Sequence, residues 1–103
     1  MKPIVYHAEA SRELIGAACF CEKERRGRGS RLLGVVARAE RQIRVFPRSG
    51  SKFECGTRRL VLRRYPYSLI YLAAAERCFV VAVAHAKLKP GYWRERLGWR
   101  QHR

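Results

Sequence analysis

The stretch "RRLVLRRYPYSLIY", residues 58–71, surrounds three aliphatic residues with four arginines and then enters a Pro-Tyr turn. Its first half alternates polar and apolar residues, which predicts a strand with Leu60 and Leu62 on the buried face. Arg59 and Arg63 then lie on the opposite, open face. "SLIYLA" after the turn predicts a second strand that runs antiparallel to the first.

The N-terminal half predicts two helices joined by a short loop. From Ala8 to about Val45, apolar residues recur three and four positions apart, and charged residues fill the other positions. "GRGS" (27–30) ends the first helix and offers Ser30 as the N-cap of the second, which should begin near Arg31. The side of the second helix that should face the core carries Leu33, Val36, Ala37, Glu40 and Ile43.

The remaining segments predict further strands. "PIVY" (3–6) and "KFEC" (52–55) are short, and "FVVAVAH" (79–85) is apolar on both faces, as is typical of a central strand. The order of elements is therefore β-α-α-β-β-β-β. This order predicts an α+β fold in which a helix hairpin packs on a mainly antiparallel, curved sheet.

We expect residues 1–103 to form a single domain, because the length is close to the common domain size. Within it, the helix hairpin spans 8–45, the sheet spans 52–85 and a C-terminal tail spans 86–103. Trp93 in the tail should cover one edge of the core.

The charge of the chain indicates an anionic partner. There are 23 Lys and Arg residues against 8 Asp and Glu residues, a net charge of +15, and most of the cations are arginines. Arginine pairs with carboxylates and phosphates through two parallel hydrogen bonds, so a nucleic acid, an acidic protein or both are expected to bind. The longest apolar run, "CFVVAVA" (78–84), is too short to cross a bilayer, and we expect a cytoplasmic protein without membrane contact.

The four cysteines do not have the spacing of metal ligands. Cys19 and Cys21 lie on a predicted helix, where a separation of two points their side chains about 200° apart. Cys55 and Cys78 stand alone in the sequence. We expect four free thiols, no metal site and no cofactor.

Three stretches together resemble one known family. "YHAEASRELIGAA" (6–18), "RRLVLRRYPYSLIY" (58–71) and "VVAVAHAKLKPGYW" (80–93) are similar to the RelE/ParE superfamily of toxins from type II toxin–antitoxin systems. The similarity is closest to the ParE-like, plasmid-stabilisation branch and extends over about residues 3–97. It implies the fold described above, growth inhibition, and a cognate acidic antitoxin that forms a hetero-oligomer with the toxin.

The superfamily divides by mechanism, and individual residues favour one branch. RelE-like members cut mRNA on the ribosome, whereas ParE-like members poison DNA gyrase. The nucleases have "YR" at the start of the fourth strand, where this chain has Ser68, which supplies no positive charge. The aromatic residue near their C-terminus, often Tyr, corresponds to Trp93, whose indole cannot act as an acid. The resemblance therefore favours a gyrase poison over an enzyme.

The alternative is a ribosome-dependent endoribonuclease acting on mRNA. In that case the catalytic residues would be Arg59, Arg63, Lys87 and His85. A histidine has a pKa suited to acid–base work near neutral pH. His85 also has a structural interpretation, as a histidine at a strand end that is hydrogen-bonded to the neighbouring loop.

For a binding protein, the predicted anion- and partner-binding surface comprises Arg58, Arg59, Arg63, Arg64, Lys87, Lys89, Tyr92 and Trp93. The helix hairpin and "KPGYWRERL" (89–97) are candidate contacts to gyrase. Two further interpretations remain: in one the arginines only keep an exposed strand in solution, and in the other the chain is a nucleic-acid-binding module without toxicity. The second is weakened because the sequence has no zinc-finger, recognition-helix or RNP signature.

Overall fold

The computed structural model describes residues 2–101, with the side chains of 99–101 excepted; Met1, His102 and Arg103 lie outside the described residues. It contains two helices, five strands and a C-terminal 3₁₀ helix. They are β1 (Ile4–Tyr6), α1 (Ala8–Glu24), α2 (Arg28–Val45), β2 (Ser51–Lys52), β3 (Arg58–Val61), β4 (Tyr67–Ala73), β5 (Cys78–His85) and the 3₁₀ helix Arg94–Gln101.

The five strands form one sheet in the order β1-β5-β4-β3-β2. β1 is parallel to β5, and the other neighbours are antiparallel. A bulge between Ile70 and Tyr71 shifts the register of β4 against β5. The predicted element order and the mainly antiparallel sheet are confirmed. None of the helices in residues 2–101 has the length and apolar character that crossing a bilayer requires.

α1 packs closely because its buried stripe is built from small residues. Ala10, Ala17 and Cys21 are buried, and they recur at the spacing of one helix face. The imidazole of His7 caps the helix by accepting a hydrogen bond from the Glu9 amide at 3.0 Å. The predicted amphipathic helix is therefore correct in both its start and its buried face.

α2 begins at Arg28, three residues before the expected start at Arg31. Its N-cap, Gly27, has a φ of +88°, and no side chain of its own caps the helix. The carboxylate of Glu22 in α1 instead accepts hydrogen bonds from the amides of Gly27 and Gly29 at 3.1 Å. The cap therefore comes from the neighbouring helix, and Ser30 is exposed.

The buried face of α2 also differs from the prediction. The buried residues are Gly29, Leu32, Val36, Ala39 and Ile43. Leu33 is 46% exposed, and Ala37 is exposed as well. The predicted and observed faces share Val36 and Ile43, and the observed face is turned toward Leu32 and Ala39, the side that packs against α1 and the sheet.

The strands around residue 58 are shorter than the alternation predicts. β2 contains only two residues, and Glu54–Gly56 form a helical turn in which Cys55 has a φ of +59°. β3 ends at Val61, after which the chain turns and Arg64 has a φ of +69°. Arg63 therefore lies in a turn and not on the open face of a strand.

The sheet separates two cores. Leu60, Leu62, Leu69 and Tyr71 pack with both helices on one face. On the other face, Trp93 and its neighbours from the C-terminal tail cover Ile70, Phe79 and Val81. The tail thus covers the sheet face opposite the helices, which agrees with the two apolar faces of 79–85, although Arg59 of β3 had been expected to lie on an open face.

Candidate functional site

A groove of about 860 Å³ runs between α2 and the β3 end of the sheet. Its floor is apolar, and its rim carries four arginines. We call it the basic groove; its floor is formed by Val35, Ala39, Leu60, Val61 and Leu62, and its rim carries Arg31, Arg38, Arg63 and Arg64. Gly34, Gln42 and Tyr65 complete the lining.

Two elements position the rim. Arg31 and Arg38 are seven residues apart on α2, which places them two turns apart on one side of the helix. Arg63 and Arg64 come from the turn after β3, across the groove. In the described part of the chain, the ion pairs use other arginines, namely Arg12, Arg28, Arg94 and Arg96. The four rim guanidinium groups are therefore free to pair with an external anion.

The floor of the basic groove includes a free strand edge. β2 pairs only with Arg58 and Arg59 of β3. On this side, Leu60 and Val61 have no neighbouring strand among the described residues, although β4 pairs with both on the other side. The side chain of Val61 is 56% exposed. An extended peptide could therefore continue the sheet at this edge.

Arg58 and Arg59 point to opposite faces of the sheet and both have partners within the chain. Arg58 donates hydrogen bonds to the carbonyls of Arg48 and Gly50, at 3.1 and 2.8 Å. Arg59 stacks on Phe53, with 4.9 Å between its guanidinium carbon and the ring centroid. Arg58 is half-buried and Arg59 is exposed, as expected for a residue on the face opposite Leu60.

The four residues predicted for a nuclease do not come together. Arg59 and His85 line one small cavity of about 70 Å³, which they share with Ser68 and Lys89. Sites that enclose small-molecule ligands usually measure several hundred Å³, so this cavity is too small for a nucleotide. Arg63 lies at the basic groove, and Lys87 borders a different hollow together with His85.

His85 has the structural role that was the alternative to catalysis. Its Nδ1 accepts a hydrogen bond from the Lys87 amide at 3.0 Å. The ring meets the edge of Tyr67, with 5.1 Å between centroids and an interplanar angle of 89°. This hydrogen bond uses Nδ1 of the ring as an acceptor and ties His85 to the loop after β5.

The aromatic residues of the tail are largely internal. Trp93 is 1% exposed, so its indole packs in the second core and does not present a surface to a partner. The hydroxyl of Tyr92 donates to Glu13 at 2.7 Å. Burial and the bond to Glu13 raise the pKa of Tyr92 well above its usual value. Lys89 is exposed.

Glu13 is a central residue that sequence reasoning missed. Its carboxylate accepts hydrogen bonds from the Val83 amide, from Tyr92 and from two nitrogens of Arg96, all at 2.7–3.0 Å. Arg96 also donates to the carbonyl of Val81 at 3.0 Å. Burial lowers the pKa of Arg96, but the hydrogen bond and the charge of Glu13 outweigh it and raise the pKa overall.

The cysteines and acidic residues form no metal site among the described residues, since no three His, Cys, Asp or Glu side chains cluster there. The thiols are free; Cys21 and Cys78 are buried, whereas Cys19 and Cys55 are exposed. Burial raises the pKa of the Cys78 thiol.

The arrangement of the helix hairpin on this sheet is an α+β fold of the ParE-like kind. It superimposes on a chain of the solved structure described as "Chromosomal ParDE TA system from P. aeruginosa", with a TM-score of 0.73 and 13% sequence identity. The match covers 82% of this chain and 96% of that one. The RelE/ParE-like fold expected from the sequence is thereby confirmed. No family model matches the chain, and no curated protein matches it.

Proposed function

We propose that this chain is the toxin of a type II toxin–antitoxin system of the ParE type. In this proposal a cognate acidic antitoxin neutralises it by occupying the basic groove, and the two proteins form a hetero-oligomer. The observation that carries the proposal is the groove itself, which combines an apolar floor with four arginines that have no carboxylate partner among the described residues.

The chemistry of the groove specifies the partner. The apolar floor can bury the apolar face of an amphipathic segment, and the arginines of the rim can pair with carboxylates beside the apolar residues of that segment. Arg31 and Arg38 are about 10.5 Å apart along the axis of α2, so carboxylates two helical turns apart would match them. The free edge at Leu60 and Val61 adds backbone hydrogen bonds for an extended part of the same segment.

The proposed target is DNA gyrase, and the proposed action is binding without catalysis. Arg59, Arg63, Lys87 and His85 border three different hollows, which supports a poison over a nuclease. Ser68 adds no cation to the cavity that Arg59 and His85 share. Gyrase acts on DNA in the bacterial cytoplasm, so the toxin is proposed to act there.

The second candidate function is cleavage of mRNA on the ribosome; Arg59 and His85 do line one cavity, although that cavity by itself is too small to enclose a nucleotide. One induction experiment separates the two functions. We expect relaxed or linear plasmid and intact mRNA after induction of the chain. Cut mRNA together with normal supercoiling would reject the gyrase proposal. His85→Gln should leave a gyrase poison active and inactivate a nuclease.

The antitoxin proposal is tested by co-expression with the acidic proteins encoded beside the gene. Arg31→Glu/Arg38→Glu should weaken the complex at least about 100-fold, since it replaces two charge-assisted pairs by repulsion. Arg25→Glu/Arg26→Glu is the matched control, because it makes the same change in net charge at exposed positions away from the groove. Equal loss of affinity in both variants would show that net charge alone, and not the groove, attracts the partner.

A further inference from the structure

A second cationic site lies at the sheet edge formed by β2 and β3. Arg48 from the loop after α2, Lys52 of β2 and Arg58 of β3 line a hollow of about 360 Å³ together with Gly56 and Ala73. We call Arg48, Lys52 and Arg58 the edge cluster. None of its residues belongs to the lining of the basic groove, so a partner in the groove leaves this lining unoccupied.

The sheet forces two of these cations together. Lys52 and Arg58 are directly opposite each other in the antiparallel ladder of β2 and β3. Side chains directly opposite share one face of the sheet at about 5 Å between Cβ atoms, and like charges in this position are destabilising. An anion bound between them would remove the repulsion.

The chain itself supplies no such anion among the residues described. No acidic residue lines the hollow. Glu54 follows Lys52 by only two positions, but its carboxylate is paired with Arg94 at 3.2 Å. The repulsion within the edge cluster is therefore left for an external ligand to compensate.

Arg58 is held in place before any ligand binds. Its Nη1 donates to the carbonyls of Arg48 and Gly50, at 3.1 and 2.8 Å, which anchors the guanidinium between the loop and the strand. Nε and Nη2 carry three further N–H groups, for which the described residues offer no hydrogen-bond partner. A guanidinium fixed on one side and open on the other suits an oxyanion, because little side-chain entropy is lost on binding.

The surroundings of the edge cluster distinguish phosphate from a protein helix. Ala73 is the only apolar side chain of the hollow, whereas five apolar residues form the floor of the basic groove. An amphipathic protein segment would gain almost no apolar burial within this hollow, since the exposed side chains of Val45 and Phe46 line a separate hollow beside it. A phosphodiester group needs none, because ion pairing and the release of its counterions provide the binding free energy.

From this combination we infer that the edge cluster binds the phosphate backbone of a nucleic acid. Arg58 contacts one phosphate through its free N–H groups, and Arg48 and Lys52 contact that phosphate or its neighbours. The lining offers neither an aromatic platform for stacking nor an amide side chain for adenine, and Arg58 is fixed by the carbonyls of Arg48 and Gly50, so we expect its cations to contact phosphates and not base edges. DNA and RNA duplexes should therefore both bind.

The test measures binding of short, mixed-sequence DNA and RNA duplexes by fluorescence anisotropy between about 50 and 200 mM salt. Arg48→Gln/Lys52→Gln removes two cations of the cluster and keeps Arg58, which supports the loop. A plot of the logarithm of affinity against the logarithm of salt concentration is linear, and its slope steepens by about 0.9 for each phosphate that the protein neutralises. The variant lacks two cations, so its slope should be shallower by about 1.8 with either duplex. Thermal unfolding confirms that the variant is folded.

The control variant is Arg25→Gln/Arg26→Gln, which removes the same charge at the exposed loop between α1 and α2. We expect its slope to change by less than about 0.5, because these arginines contact no fixed phosphate. Equal losses in the two variants, or no loss in Arg48→Gln/Lys52→Gln, would overturn the inference. A polyglutamate peptide is the second probe. If the cluster variant loses affinity only for polyglutamate, the cluster binds acidic protein and the inference is also overturned.

Discussion

Glu13→Gln removes the charge that joins α1, β5 and the C-terminal tail. The carboxylate accepts four hydrogen bonds, from the Val83 amide, Tyr92 and both terminal nitrogens of Arg96. Glutamine has one acceptor oxygen and places an NH₂ group where the second oxygen was. At least one of the four donors then loses its acceptor, and Arg96 loses its counter-charge.

The size of the effect follows from the burial of the pair. The side chains of Arg96 and Glu13 are 17% and 22% exposed, so the pair is neither fully buried nor fully exposed. Removing one partner costs about 3–5 kcal/mol in a buried ion pair and about 0–1 kcal/mol in an exposed one. A hydrogen-bond donor left without an acceptor adds about 1–3 kcal/mol to the loss of stability if water does not reach it. Because water reaches part of the site, we expect a total loss of about 3 kcal/mol in the free energy of unfolding.

Urea denaturation measures this loss directly, and for a domain of this size it corresponds to a decrease in Tm on the order of 15 °C. Glu24→Gln is the matched control, since it removes the partner of Arg28 from a largely exposed pair at 3.5 Å. It should cost less than about 1 kcal/mol. The amide of Val83 should also exchange faster with solvent in Glu13→Ala, because this variant removes both side-chain oxygens and with them the acceptor of that amide.

The reasoning is refuted if Glu13→Gln unfolds within about 1 kcal/mol of the parent chain, or if it matches Glu24→Gln. Either result would mean that the four hydrogen bonds contribute no more than surface contacts. Protection of Val83 that stays unchanged in Glu13→Ala would separately reject the proposed role of Glu13 at the edge of β5.

Three further predictions concern stability. Gly29→Ala should destabilise the chain by about 2 kcal/mol, because its Cβ would lie 2.5 Å from the carbonyl oxygen of Ala18 in α1, and backbone cannot move away cheaply. Gly34→Ala on the same helix should instead stabilise by about 0.5–1 kcal/mol, since its Cβ meets nothing within 4 Å; a loss in this variant would contradict the argument. Burial and the hydrogen bond to Glu40 raise the pKa of Tyr6 in the folded chain. The contribution of the protonated Tyr6 to the free energy of unfolding should therefore be complete below pH 10 and decrease above it, because the unfolded chain loses this proton first. Tyr6→Phe should reduce that alkaline slope in urea denaturation, and an unchanged slope would rule out Tyr6 as its source.

Local patterns predicted most of the elements. The small residues of α1 recur at the spacing of one helix face, and Ala10, Ala17 and Cys21 are buried as that spacing requires. Leu60 and Leu62 face the helices as the alternation of the Arg-rich stretch predicts. The same alternation failed beyond Val61, where Pro66 and the turn before it end the strand. Periodicity describes a preferred face, but it does not fix where hydrogen bonding stops.

The candidate site was only partly predictable. The sequence indicated an arginine surface near residues 58–64, and Arg63 and Arg64 do line the basic groove. It assigned no part to Arg31 and Arg38, which look like ordinary solvent-facing residues of an amphipathic helix. Their meeting with the turn after β3 depends on how α2 lies across the sheet. Edge residue Arg48 was missed for the same reason, because a loop residue has no periodic pattern to indicate its neighbours.

The sequence alone determined the order of helices and strands and the net charge of +15, because periodicity and net charge are local or summed properties that do not depend on contacts. The tertiary structure decided which residues became neighbours. It buried Leu32 in place of Leu33, laid the tail with Trp93 over the second sheet face, and brought Glu13 to Arg96, 83 residues away. Such pairings arise from the packing of whole elements, where the cost of leaving apolar surface or a charged group uncovered outweighs the preferences of any single segment.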